Sequence, residues 1–236
     1  MTAEPLQTPA KPRKTPLQSR SRATVDAVLS AAAHILESQG VGAMNTNAVA
    51  ERAGVSIGSL YQYFASKDAI LVALIEREQR IFADELARAA DSARSGDLGE
   101  DLTALLTFGL SHHLQRHNLA HRLEVEFQRL HPFIDMAGIR DPSRAAMVRL
   151  LDRHKSVLDA DDLEKAAQDV GVIAKSLMES AARRGEADWA VAIERTVRAM
   201  LGYLGAPWDG RKSAALHKMI AAAAGRAASP TKPISA

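Results

Sequence analysis

The 236-residue sequence predicts an all-α protein in two parts, a small three-helix domain built around a helix-turn-helix and a larger helical bundle. Three observations carry this. Apolar residues make up 47% of the chain and aromatic ones only 4%, with alanine and leucine abundant, a balance that suits helices better than sheets. Apolar positions recur at helical spacing through long stretches, and no strand-like alternation of any length interrupts them. Residues 46–68, TNAVAERAGVSIGSLYQYFASKD, read as two short helices around a tight turn followed by the start of a third.

The elements follow in order. Residues 1–19 carry four of the nine prolines and read as a disordered basic arm. Lys11, Arg13, Lys14, Arg20 and Arg22 give the first 22 residues five basic side chains against one acid, Glu4. Such an arm can follow phosphates or enter a minor groove; an inert solvated tail fits the same composition. No proline occurs from Leu17 to His131. Val25, Val28, Leu29, Ala32, Ile35 and Leu36 form one helical stripe, and Gly40 ends that helix. A second stripe, Ile70, Leu71, Leu74, Ile75, Ile81 and Phe82, marks a long helix reaching about Ala93.

Between these helices lies the segment that points to chemistry. Thr46 is expected to cap a helix from about Asn47 to Ala53, because its hydroxyl can accept from an orphan backbone N–H. Gly54 supplies the left-handed backbone needed to leave that helix. Ser56 is expected to cap the next, about Ile57 to Tyr63, and Ser66 the third, with Asp68 well placed in its first turn. Leu60 and Phe64 share a face and anchor the second helix. Gly58, Ser59 and Gln62 point away from it, flanked by Tyr61 and Tyr63. Glycine permits close approach to base edges, and Gln62 has the bidentate reach suited to adenine. The tyrosine hydroxyls and Lys67 are placed for phosphates. The arrangement implies a DNA-binding module whose second helix enters the major groove.

Residues 20–80 are similar to the amino-terminal domain of the TetR (tetracycline repressor) family of bacterial transcription regulators. The AERAGVS turn, the LYQYF recognition helix and the SKDAIL start of the following helix carry the resemblance. It implies DNA contacts from Thr46, Ser56, Gly58, Ser59, Tyr61, Gln62, Tyr63 and Lys67. Ile57 departs from the pattern, standing where many relatives have lysine or a small polar residue. It cannot make a phosphate or guanine contact but could pack on a thymine methyl. Beyond residue 80 the similarity is one of architecture only.

SGDLGE at 95–100 marks a boundary, giving an arm at 1–19, a DNA-binding domain at 20–66, a connecting helix at 67–94, a ligand-binding and dimerisation domain at 95–208, and a tail at 209–236. In the bundle, helices are expected at about Glu100–Arg116, from Asn118 to before Pro132, and from Pro142 to about Leu158 with the proline in the first turn. Asp161 and Glu164 have capping-box spacing and open a helix that Gly185 closes; Asp188 caps the last one, which runs to about Leu204. A short alanine-rich helix can follow Arg211. The last two bundle helices carry apolar stripes that include Ile173, Leu177 and Ala181 on one and Ile193, Val197, Leu201 and Leu204 on the other. The family resemblance implies that this pair forms a four-helix dimer interface; periodicity alone fits an intramolecular core as well. A single recognition helix reads few bases, so a homodimer on a near-palindromic operator in double-stranded DNA is the expected partner arrangement.

Phe108, His112, Phe127, Met136, Met147 and Met178 are candidates for an effector pocket, methionine being adaptable to varied apolar molecules; all six residues fit a plain core equally. His113, His117 and His121 are spaced by four, but Asn118 reads as a helix start and separates them, leaving His113 and His117 in a helix's last turn. No metal or other cofactor is expected. No nucleophile elbow, phosphate-cradling glycine loop, H-E-x-x-H motif or cysteine is present, which speaks against an enzyme and excludes disulfides. No stretch approaches the ~20 apolar residues of a membrane span, and a cytoplasmic location is expected. The net charge of +2 excludes a general polyanion binder. The expectation is a dimeric repressor released from its operator by an unidentified small molecule. The alternatives are a DNA-binding dimer without an effector and, distantly, an all-helical enzyme.

Overall fold

A computed structural model describes residues 19–115 and 117–208. Among these are nine α-helices, two 3₁₀ turns and no strand, as the sequence predicts. The helices are α1 (Ser19–Gln39), α2 (Thr46–Ala53), α3 (Ile57–Tyr63), α4 (Lys67–Ser92), α5 (Leu98–Gln115), α6 (His117–Leu130), α7 (Met136–Arg153), α8 (Leu163–Arg183) and α9 (Trp189–Tyr203). The described residues fall into two compact units, one drawn from Met1–Arg80 and Arg116–Ile139, the other from Ile81–Gln115 and Arg140–Ala236. The chain passes between them inside α4, between α5 and α6, and inside α7, whereas the sequence places its boundaries at helix ends. Turn residues mark where helices stop; they carry no information on which helices share a core.

The first unit is held by the α1 stripe, with Val28, Leu29, Ala32, Ile35 and Leu36 all buried, and by Ile70, Leu71, Leu74 and Ile75 of α4. Each such aliphatic side chain contributes roughly 1.5–3 kcal/mol on burial. Leu119, Leu123 and Leu130 of α6 are buried as well, and α6 packs against α1. Gly40 ends α1 with φ +86°, its N–H bonded to the carbonyls of Ile35 (3.2 Å) and Leu36 (3.1 Å). A Cβ there would stand 2.5 Å from Nη1 of Arg122, so the α6 guanidinium rests where any other residue would put a side chain.

The second unit has its core among Leu98, Leu102 and Leu105 of α5, Ala146, Leu150 and Leu151 of α7, Val170 of α8 and much of α9. Asp97 caps α5 through Glu100 N (2.9 Å). Asp101, only 2% exposed, accepts from Ser95 N (2.9 Å) and pairs with His154 Nε2 (3.0 Å). Burial pushes its carboxyl upward, but the Ser95 N–H and the hydrogen bond with His154 outweigh this and hold it below the usual value.

Several helix starts differ from expectation. Asn45, not Thr46, caps α2, its Oδ1 accepting from Ala48 N at 2.9 Å. Asp162, not Asp161, caps α8 through Lys165 N (3.1 Å). In both places two polar residues of good capping type stand side by side, and the register of the buried stripe decides between them. α7 begins at Met136, so Pro142 lies inside the helix rather than at its first turn. Asp135 starts it through Gly138 N (3.4 Å), and burial of Ile139 before the proline and Ala146 and Leu150 after it offsets the lost backbone bond. His113 ends up in α5 while His117 and His121 lie in α6, so His117 opens a helix and does not close one. Arg20 and Arg22 belong to α1, not to an arm. Lys11, Arg13 and Lys14 lie outside the described residues, as does the expected helix after Arg211.

Candidate nucleic-acid interface

The helix-turn-helix is assembled from cap to cap. α2 ends at Gly54 (φ +66°, ψ +29°), whose N–H bonds to the carbonyls of Ala50 and Glu51, turning the chain within three residues into α3. Ser56 then caps α3, its Oγ accepting from Ser59 N at 3.0 Å. Leu60 is fully buried and Phe64 is 1% exposed, so two side chains anchor a seven-residue helix to the unit. α4 starts at once behind it, capped by Ser66 Oγ accepting from Ala69 N (3.2 Å).

What remains of α3 faces outward. Ile57, Gly58, Tyr61 and Gln62 are exposed, and Ser59 and Tyr63 are partly covered. Thr46 sits at the first turn of α2 with its Oγ1 3.2 Å from the Tyr61 hydroxyl, a bridge between the two helices. Tyr61 is exposed, and its hydroxyl is held beside α2 by Thr46. The Ser56 and Ser59 hydroxyls are 2.8 Å apart and occupy each other. Lys67, expected to carry a free charge toward phosphates, is partly buried and donates from Nζ to the carbonyl of Val41 (2.7 Å), closing the loop before α2.

One contact had no signal in the sequence. Arg129 of α6 clamps Asp68 in the first turn of α4 in a bidentate pair, Nη1–Oδ2 2.8 Å and Nη2–Oδ1 2.7 Å. Glu126, 8% exposed, holds the same guanidinium from behind, 3.1 Å from Nε and 2.7 Å from Nη2. The Arg129 hydrogen bond draws the Asp68 carboxyl below its usual value against the opposing effect of burial, and raises the guanidinium in turn. The helix behind the reading face is thereby fixed at its N-terminus. Sequence reading finds Asp68 as a helix-dipole partner but cannot pair it with a residue sixty-one positions away.

The segment from Val28 to Leu74 matches the family model of bacterial regulatory proteins of the tetR family over residues 28–74. This segment is tetR-like in sequence. That match spans α2, α3, the end of α1 and the start of α4. The rest of the chain is compared by likeness of fold alone. A TetR-family transcriptional regulator from Mesorhizobium loti aligns with TM-score 0.60 and 15% identity over 78% of this chain and 98% of its own. RolR in complex with resorcinol gives 0.55 and 19% over 92% and 98%. SmeT, the repressor of the Stenotrophomonas maltophilia multidrug efflux pump SmeDEF, gives 0.55 and 21% over 80% and 93%. At these identities the likeness concerns the fold. No curated protein sequence matches the chain.

The other predicted site residues are divided between the two units. Phe108, His112, Met147 and Met178 lie in the second unit; Phe127 and Met136 lie in the first. Phe108 and His112 do meet, with ring centroids 6.5 Å apart, and Phe82 closes on His112 at 4.9 Å. His112 Nε2 is 3.4 Å from Glu85 Oε2. Met147 and Met178 pack on the core of their unit. Of the seven expected interface residues, Ala181, Ile193, Val197, Leu201 and Leu204 are buried inside the chain's own core; only Ile173 and Leu177 are partly exposed. Helical periodicity selected the faces of α8 and α9 that meet each other. Among the described residues no group of histidines and carboxylates has the arrangement of a metal site, and no helix is long and apolar enough to cross a membrane.

Proposed function

We propose that this protein is a sequence-specific transcription regulator that binds a near-palindromic operator as a homodimer and leaves it when a small molecule binds the helical bundle. The exposed face of α3 carries the reading. Ile57, Gly58, Tyr61 and Gln62 stand clear on a helix pinned by Leu60 and Phe64, the geometry by which a recognition helix offers side chains to base edges while its back is held rigid. Gln62 is assigned to a base, Tyr61 with Thr46 to the phosphates beside it.

Two features support the finer parts. For dimerisation, α8 leaves Val172 57% exposed and α9 leaves Val191 48% exposed, while Ile173 and Leu177 of α8 are partly exposed. For effector response, the Phe82, Phe108 and His112 cluster with Glu85 combines aromatic surface and a titratable pair, the mixture a small-molecule site needs. One structural neighbour was crystallised with resorcinol and another is named a repressor. A ligand that empties the operator must favour the released state by roughly 10⁴-fold.

The test is selection of bound fragments from the source genome at about physiological salt, with a Tyr61→Ala, Gln62→Ala double variant beside the wild type. Enrichment of one near-palindrome by the wild type alone is the expected result. Equal, unselective recovery by both proteins overturns the reading. Sedimentation of Val172→Arg addresses the dimer, which is expected to weaken. Loss of operator binding on adding candidate aromatic compounds separates effector control from a regulator without an effector.

A further inference from the structure

An isoleucine at the first position of a recognition helix is an odd choice on solvation grounds. Ile57 is 39% exposed although every other exposed position around it, Ser56, Gly58, Tyr61 and Gln62, has either a polar group or no side chain. It is not among the buried residues, which on this helix are Leu60, with Phe64 just beyond its end. It lies four residues before Tyr61, so the two share one strip of the exposed face, and the Tyr61 ring is fixed by the Thr46 bridge. Beside it, Gly58 leaves a gap, since a Cβ built there meets only Ser56 Oγ, at 4.0 Å. The result is a stiff apolar knob next to a notch. A β-branched side chain has little rotamer freedom to lose on contact. In the major groove the base edges offer a single methyl group, the C5 methyl of thymine.

Resting on the DNA-reading function above, we propose that Ile57 is a specificity-determining residue that reads a thymine methyl, with Gly58 giving the room for that base to approach. The operator then has, in each half-site, one thymine whose methyl group and not its hydrogen-bonding edge is recognised. Burial of one methyl sets the size of the effect, about four-fold in affinity for each thymine so read.

The experiment uses the full chain. A binding sequence is first selected from random duplexes; each thymine in it is then replaced in turn by deoxyuridine, which removes the methyl and leaves pairing and groove edges unchanged. Affinities are measured by fluorescence anisotropy at one salt concentration for the wild type, Ile57→Ser and Ile57→Val. The expected outcome is a single position per half-site where uracil weakens the wild type about four-fold, no discrimination there by Ile57→Ser, and retained discrimination by Ile57→Val. Thermal melts confirm that the serine variant is folded. Wild-type indifference to uracil at every position overturns the proposal, as does unchanged discrimination in Ile57→Ser, and either leaves the operator reading intact. Failure to select any sequence overturns the operator reading itself, and this proposal with it.

Discussion

α3 and α9 are both short amphipathic helices, yet they place their residues in opposite ways. α3 buries only Leu60 within its seven residues, with Phe64 just beyond, and leaves Ile57, Gly58, Tyr61 and Gln62 to solvent. α9 buries Ala190, Ala192, Ile193, Thr196, Val197, Met200 and Leu201, nearly half its residues. A helix that reads something outside itself needs only enough anchorage to stay in place. A helix that organises a bundle turns its apolar face inward and keeps it there. The same periodicity in sequence therefore announces a surface in one case and a core in the other, and what distinguishes them is the identity of the residues on the far side.

The sharpest break of this comparison comes from deleting one anchor in each. Leu60→Ala and Leu201→Ala each remove a leucine that is 1% exposed or less, and each is expected to cost about 2–5 kcal/mol of unfolding free energy in denaturant titrations. Their consequences for DNA should differ. With α3 held by so few side chains, Leu60→Ala abolishes operator binding even at temperatures where the protein remains folded. Leu201→Ala keeps it under the same conditions. Equal loss of binding in both would show that α3 is not separately anchored.

Next in size is the loss of base discrimination in Gln62→Ala, about 1–3 kcal/mol at one base pair and little elsewhere, read by comparing affinities for single-base variants of the operator. Smaller still is Tyr61→Phe, which removes the hydroxyl shared with Thr46 and is expected to weaken binding to all sequences by about 1 kcal/mol, without changing their rank. A change of rank in Tyr61→Phe would place Tyr61 on a base.

The smallest effect belongs to the clamp behind the face. Asp68 is held below its unfolded value of 3.8, first by the Arg129 hydrogen bond, so the pair stabilises the fold above about pH 4 and the contribution is lost as pH falls through the lowered folded value. Both side chains are roughly a third exposed, which limits the pair to ~1 kcal/mol. Melting curves of wild type and Asp68→Asn should differ by a constant amount between pH 5 and 8 and converge below pH 4. Divergence toward low pH would contradict the assignment.

The local grammar of the first unit was readable from sequence because it is written in residues with a single use. Gly54 in the left-handed turn, Ser56 and Ser66 as caps, and Leu60 with Phe64 as anchors all stand where their chemistry put them. Reading faltered where chemistry was degenerate or distant. Asn45 and Thr46 cap equally well, and Pro142 suits a first turn better than an interior. The pairing of Arg129 with Asp68, the engagement of Lys67 by Val41 and the inward orientation of Leu201 are tertiary facts, fixed by which helices meet and not by any window of sequence. The Phe108 and His112 contact is legible in the sequence, since residues four apart on a helix adjoin.

The unit bearing α3 is not continuous in the chain, for it includes Arg116–Ile139 as well as residues before Ile81. During synthesis, the helix-turn-helix emerges early but must wait for Leu119, Leu123 and Leu130, and for the guanidinium of Arg129, before its core and its clamp are complete. Until the ribosome has released the chain beyond Ile139, apolar surface on α1 stays open to water or to a chaperone. A fragment ending soon after α4 should accordingly be a poor DNA binder and prone to aggregate, although it contains every residue assigned to the operator.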